Sequence, residues 1–115
     1  MSGVMKDLII ISVILITSLT IAHTHVLCVV RSGSMLPILA PGDLIIVNPF
    51  DRNAEVGDVI VFRRPGANYL VIHRVYKITQ NGMQTKGDHN CCPDPYTITE
   101  KDVIGKWTGV KIPYV

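Results

Sequence analysis

The stretch "GDLIIVNPFDRNAEVGDVIVF", residues 42–62, contains its own echo. Gly42-Asp43 precedes LIIV, and fifteen residues later Gly57-Asp58 precedes VIVF. Gly-Asp is a turn signal, and a short β-branched apolar run after a turn reads as a buried strand. Pro49 and the polar DRNAE supply a loop between the runs, so the spacing predicts two neighbouring antiparallel strands. Asp43 and Asp58 are read as turn residues whose carboxylates bond nearby backbone.

The pattern continues towards the C-terminus. In "NYLVIHRVYKIT", residues 68–79, Leu70, Ile72, Arg74, Tyr76 and Ile78 would face one way. Tyr69, Val71, His73, Val75 and Lys77 would face the other, as the two-residue period of a strand requires. Gln80-Asn81-Gly82 is a hairpin turn, with MQTK as the returning strand. "GDHNCCPDPYT", residues 87–97, is a loop, and "DVIGKWTGVKIPYV", residues 102–115, supplies one or two closing strands. The expected fold class is mainly β. An N-terminal helix in residues 1–30 precedes a small all-β domain of short, mostly antiparallel strands in residues 31–115.

Residues 8–30 contain no Asp, Glu, Lys or Arg. As a helix, that run spans about 34 Å, enough to cross a hydrocarbon core. Its apolar centre is "LIIISVILITSLTIA", and the more mixed "HTHVLCVV" that follows is placed at the interface. The run is read as an uncleaved, single-pass membrane anchor. A removable signal peptide, with Lys6 in front and Thr20-Ile21-Ala22 as its exit, is the competing reading. The return of apolar character after Ala22 favours the anchor. A buried helix would need more surrounding chain than this sequence has. Lys6 on one side and Arg31 on the other leave the orientation open by charge.

The roughly 85 residues that remain suffice for one β core. A formal charge of +2 with scattered basic residues does not suggest a nucleic-acid partner, and Arg63-Arg64 is read as a solvated face. Cys28, Cys91 and Cys92 give no disulfide framework, and adjacent cysteines pair only with strain. His89-x-Cys91-Cys92 lacks zinc-site spacing, so no metal is expected.

Chemistry would start at Ser34, in "SGSMLP", residues 32–37. A serine nucleophile needs a base and donors for the oxyanion. Gly33 permits close backbone approach, and Pro37 fixes the chain beyond. His73 titrates near neutral pH and is the natural base, although a packed core histidine is the plain alternative. His23 and His25 fall near the membrane boundary, and His89 falls in an exposed loop. Asp88 and Asp94 are both candidates to orient the histidine.

An apolar N-terminus followed in order by SGSMLP, PGDLIIV, GDVIVFRRP, VIHRV and TKGDHN resembles the type I signal peptidases, serine protease family S26. The resemblance covers about residues 31–95, and VIGKWTGVKIPYV is similar to the family's closing segment. The common bacterial branch has a lysine base where this chain has His73, so the likeness is to the archaeal and endoplasmic-reticulum branch. The short span between Arg74 and Asn81-Gly82 leaves no room for the large inserted domain of many bacterial forms.

The resemblance implies Ser34 as nucleophile, His73 as general base and Asp94 as third triad member, with Asp88 in support. Ser32 and the Ser34 N–H would form the oxyanion hole. His89 departs from the family's usual Asn, and Cys91-Cys92 is also unusual. The implied activity is that of a membrane-bound serine endopeptidase, signal peptidase I, removing signal peptides from secretory preproteins after small residues. The implied catalytic domain sits on the extracytoplasmic side of the cell membrane, with membrane lipid as a partner, alongside accessory subunits or a translocon, and without a cofactor. Preproteins would bind extended, as an added strand, with Met35, Leu36 and Pro37 lining the pockets. No second membrane helix is expected after Val115.

Two rival readings remain. One is a non-catalytic, membrane-anchored β-module that binds extended peptides. The other is a soluble, self-cleaving, repressor-like protease, against which stand the anchor and the lack of a DNA-binding domain.

Overall fold

The computed structural model describes residues 3–114, with side chains of residues 18–24 outside the description. The readings of His23 as interfacial and of Thr20-Ile21-Ala22 as an exit site therefore lie outside the described residues. The chain forms helix α1 (Gly3–Thr24) and strands β1 (Val26–Val29), β2 (Leu44–Asn48) and β3 (Val59–Arg63). Strands β4 (Leu70–Thr79), β5 (Gly82–Lys86), β6 (Thr97–Ile98) and β7 (Val103–Ile112) follow. A 3-10 turn at Glu100–Asp102 leads into β7.

All seven strands join one sheet in the order β1-β2-β7-β3-β4-β5-β6, and every pairing is antiparallel. The mainly β expectation holds. The expected pairing of the two echo strands does not, because β7 lies between β2 and β3. Lys106 sits opposite Asn48 on one side and Ile60 on the other. Gly105 makes the insertion possible, since a Cβ there would stand 2.4 Å from the Asn48 carbonyl oxygen.

The sheet is covered on both faces around its centre. Val59 and Val61 of β3 enter a cluster with Val30, Met35, Leu39, Ile45 and Val47. Ile60 and Phe62 enter another with Val75, Met83, Ile98 and Val103. A strand buried on both sides reads as a continuous apolar run, which accounts for VIVF. The Asp turns form as expected: Asp43 accepts from the Ala40 N–H at 2.9 Å, and Asp58 from the Glu55 N–H at 2.8 Å.

The N-terminal run departs from the single-pass expectation. The helix ends at Thr24, and residues 26–29, expected at an interface, pair with β2 instead. Among the described residues no helix is long and apolar enough to cross a membrane. Leu8, Ile9, Ile10, Ile11, Val13, Ile14, Leu15 and Ile16 are nevertheless all exposed.

Candidate active site

Ser34 rides on a loop whose base is pinned to the sheet. The Val30 N–H donates to the Asp43 carbonyl at 2.8 Å, and the Gly42 N–H to the Val30 carbonyl at 2.7 Å. Within the loop, Met35 and Leu39 plug the core, so the apolar residues after the serine act as its foundations. The Ser34 carbonyl is gripped in turn by the His89 N–H at 2.8 Å.

His73 comes from the middle of β4, opposite Ile60 of β3. It is buried at 7% exposure, with the Phe62 ring edge-on at 6.3 Å. Its Nε2 lies 3.1 Å from Ser34 Oγ, and its Nδ1 lies 2.6 Å from Asp94 Oδ2. Asp94 is also buried and accepts a 2.6 Å hydrogen bond from the Thr85 hydroxyl, which is fully enclosed. An ionised carboxylate only accepts, so these bonds assign the proton to Nδ1 and leave the Nε2 lone pair facing Ser34. Such a chain can take the serine proton and hold the resulting imidazolium. Ser32 Oγ stands 3.1 Å from Ser34 Oγ, beside the Ser34 N–H at 3.5 Å.

The structure therefore groups Ser34, His73, Asp94 and Ser32, and it sets Asp88 apart. Both Asp88 oxygens accept from Arg74, at 2.9 and 2.8 Å. The Arg74 hydrogen bond holds the Asp88 carboxyl below its usual range, against a smaller opposing effect of burial. Arg74 also donates to the Gly57 carbonyl at 2.8 Å, tying the Gly-Asp turn before β3 to the loop after β5. Cys91 and Cys92 are free and exposed, with sulfurs 2.9 Å apart.

Ser34 and His73 open into a groove of about 800 Å³. Its walls include Leu27 and Val29 of β1, Tyr69 just before β4 and Leu70 at its start, Tyr96 at the end of the acidic loop between β5 and β6, and Arg64. Met35 lines it, whereas Leu36 and Pro37 do not. Burial, its largest cause, pushes the Tyr96 phenol up to about 12, with the neighbouring Asp94 carboxylate adding to the shift. Tyr96 thus stays a neutral wall of the groove.

Sequence reasoning missed Thr85, Arg64 and Tyr96, and it took in Gly87 only as part of the TKGDHN motif. Gly87 permits a close approach: a Cβ there would lie 2.7 Å from the Ser34 carbonyl oxygen and 3.0 Å from His73 Nε2. Its place in TKGD was the available signal. Arg64 was read with Arg63 as a solvated face; Arg63 is exposed, but Arg64 turns into the groove.

The profile of the Peptidase S24-like family matches residues 6–107. Signal peptidase I W of Bacillus subtilis is 37% identical over 90 residues, which cover 73% of this chain and 47% of the relative. The signal peptidase complex catalytic subunit SEC11 of Scheffersomyces stipitis is 36% identical over 80 residues, 66% of this chain and 48% of the relative. SEC11 of Debaryomyces hansenii is 34% identical over 104 residues, 79% and 62% of the two lengths. The chain thus spans about half to three fifths of these relatives.

Proposed function

The chain belongs to the Peptidase S24-like family, and from that premise we propose that it is a serine endopeptidase removing N-terminal signal peptides from secretory preproteins. The observation that carries this reading is the hydrogen-bonded chain Ser34–His73–Asp94, opening on a groove of about 800 Å³. The names of the relatives supply the substrate class.

In the proposed mechanism, Ser34 Oγ attacks the carbonyl after a small residue while His73 Nε2 takes its proton. Asp94 stabilises the imidazolium, and Thr85 holds Asp94. The oxyanion is met by the Ser34 N–H and the Ser32 hydroxyl. His73 returns the proton to the leaving amine, and water then releases the acyl-enzyme by the same route. Asp88 acts at one remove, by fixing the loop with Arg74. Substrate enters as a strand along the groove.

Helix α1 is proposed as the membrane anchor. Its described side chains from Leu8 to Ile16 are exposed and apolar except for Ser12, and an anchor there would put the site on the extracytoplasmic side, where signal peptides emerge. Accessory subunits are proposed from the relatives named as subunits of a signal peptidase complex.

The test is detergent extraction of the full chain, incubation with a preprotein, and mapping of the cut by mass spectrometry. Wild type should cut once, after a small residue. Ser34→Ala should lose cleavage while keeping its fold and its place in the membrane fraction. Full activity in Ser34→Ala would overturn the nucleophile; peptide binding without cleavage by wild type would establish the non-catalytic module instead.

A further inference from the structure

The groove beside Ser34 carries an unbalanced charge. Its lining includes Arg31, Arg64, His73 and Asp94. Asp94 is committed to His73 and Thr85, which leaves the two guanidinium groups. Among the described residues no carboxylate lies within ion-pairing distance of Arg64.

Arg64 differs from a free surface cation in being held. It opens the turn between β3 and β4, where the Ala67 N–H donates to its carbonyl at 3.1 Å. Its Nη1 donates to the Tyr69 hydroxyl at 2.5 Å. Its guanidinium carbon stands 5.1 Å from the centre of the Tyr96 ring and 5.9 Å from that of Tyr69. All three side chains line the groove. A guanidinium against aromatic faces keeps its edge donors in a fixed fork suited to a carboxylate. Because the side chain is already ordered, less conformational entropy is lost when a partner binds.

We propose that Arg64, fixed by Tyr69 and Tyr96, is a specificity residue of this groove that selects peptides bearing an acidic side chain opposite it and disfavours lysine there. The inference rests on the peptidase reading and deepens it: the substrate would be defined by a carboxylate near the cut as well as by small residues.

The experiment uses the detergent-extracted full chain. The substrates are synthetic peptides with an apolar segment followed by alanines at alternate positions, and Asp, Asn or Lys is placed in turn at each position flanking the cut. The readout is the ratio of kcat/KM for the Asp peptide to that for the Lys peptide, an internal ratio insensitive to overall activity. One position should show a preference of about tenfold for Asp, as expected for a fixed charge in a partly shielded site. Arg64→Met should reduce it to within about twofold, and Arg64→Lys should keep its sign at a smaller size. The wild-type preference should also shrink as salt rises.

A wild-type ratio near one at every position overturns the inference whatever the variants do, and so does a ratio that Arg64→Met leaves intact. Failure of wild type to cut any of the peptides, or a preprotein, overturns the peptidase reading itself.

Discussion

Thr85 shows how far one hydroxyl reaches into the site. Its bond to Asp94 Oδ2 shares the oxygen that faces His73, so it restricts both the position and the charge of that carboxylate. Thr85→Val keeps the shape and removes the donor in a fully enclosed place. Hydrogen bonds to charged groups are worth about 1.5–3 kcal/mol, and about 1.4 kcal/mol in a barrier is tenfold in rate. The expected result is a fall in kcat/KM of roughly ten- to a hundredfold. Thr85→Ser, which keeps the donor, should restore it, as steady-state kinetics would show. Ser34, His73 and both aspartates were legible as residues, but only the family resemblance, and no local pattern, grouped Ser34 and His73 with Asp94. Choosing Asp94 over Asp88 needs the Arg74 fork that draws Asp88 away. Thr85 was hidden by register. A regular hairpin closed at Thr79 and Gly82 puts Thr85 opposite Tyr76, on the face away from His73. The register shift between Val75 and Lys77 instead pairs Thr85 with Val75, on the His73 side. Bulges of this kind re-aim a side chain and leave no mark in local alternation.

Among the elements, β7 holds the two halves of the sheet together. Its first half pairs with β3, and the rest runs along β2. This is why local pattern predicted the strands themselves but misplaced the neighbours of β2 and β3. Turn signals and apolar runs report short-range structure, whereas a strand arriving from the C-terminus pairs through contacts distant in sequence. The hairpin of β4 and β5 was legible because its turn residues sit between its own strands. The partial trace of the β7 insertion in the sequence is Gly105. A Cβ there would meet the Asn48 carbonyl oxygen at 2.4 Å and Val47 Cγ1 at 2.8 Å, and the first of these is backbone that cannot swing aside. Gly105→Ala should therefore destabilise the fold by about 1–3 kcal/mol, the usual range for overpacking. Denaturant unfolding should show a lower midpoint. A midpoint equal to wild type would mean that β2 and β7 do not approach this closely.

For the molecule as a whole, the same aspartates that shape the loops set its response to acid. Asp43 is held below its usual range first by the Ala40 N–H and then by the Tyr114 N–H, which ties the C-terminal segment to the turn behind the Ser34 loop. Asp88 is held low first by Arg74, which ties the acidic loop to the turn before β3. The unfolded chain has neither partner, so its carboxyls bind protons near the ordinary value of about 3.9. Below that value the unfolded state carries more protons than the folded one, and stability rises with pH in that window. The stabilisation is thus complete above the unfolded value and drains away as pH falls through the lower folded values. Thermal melting in detergent should give a similar Tm at pH 7 and pH 5.5 and a clearly lower one at pH 3. Asp88→Asn cannot ionise and loses the charge on the Arg74 fork. It should melt lower at pH 7 and show a smaller fall towards pH 3. A fall as steep as that of wild type would assign the acid sensitivity to carboxylates other than Asp88. Because the Asp88 fork and the Asp43 turn both brace the chain around Ser34, the activity that survives at low pH should be lost along with the fold as these carboxylates are protonated, which parallel activity and melting curves below about pH 4 would show.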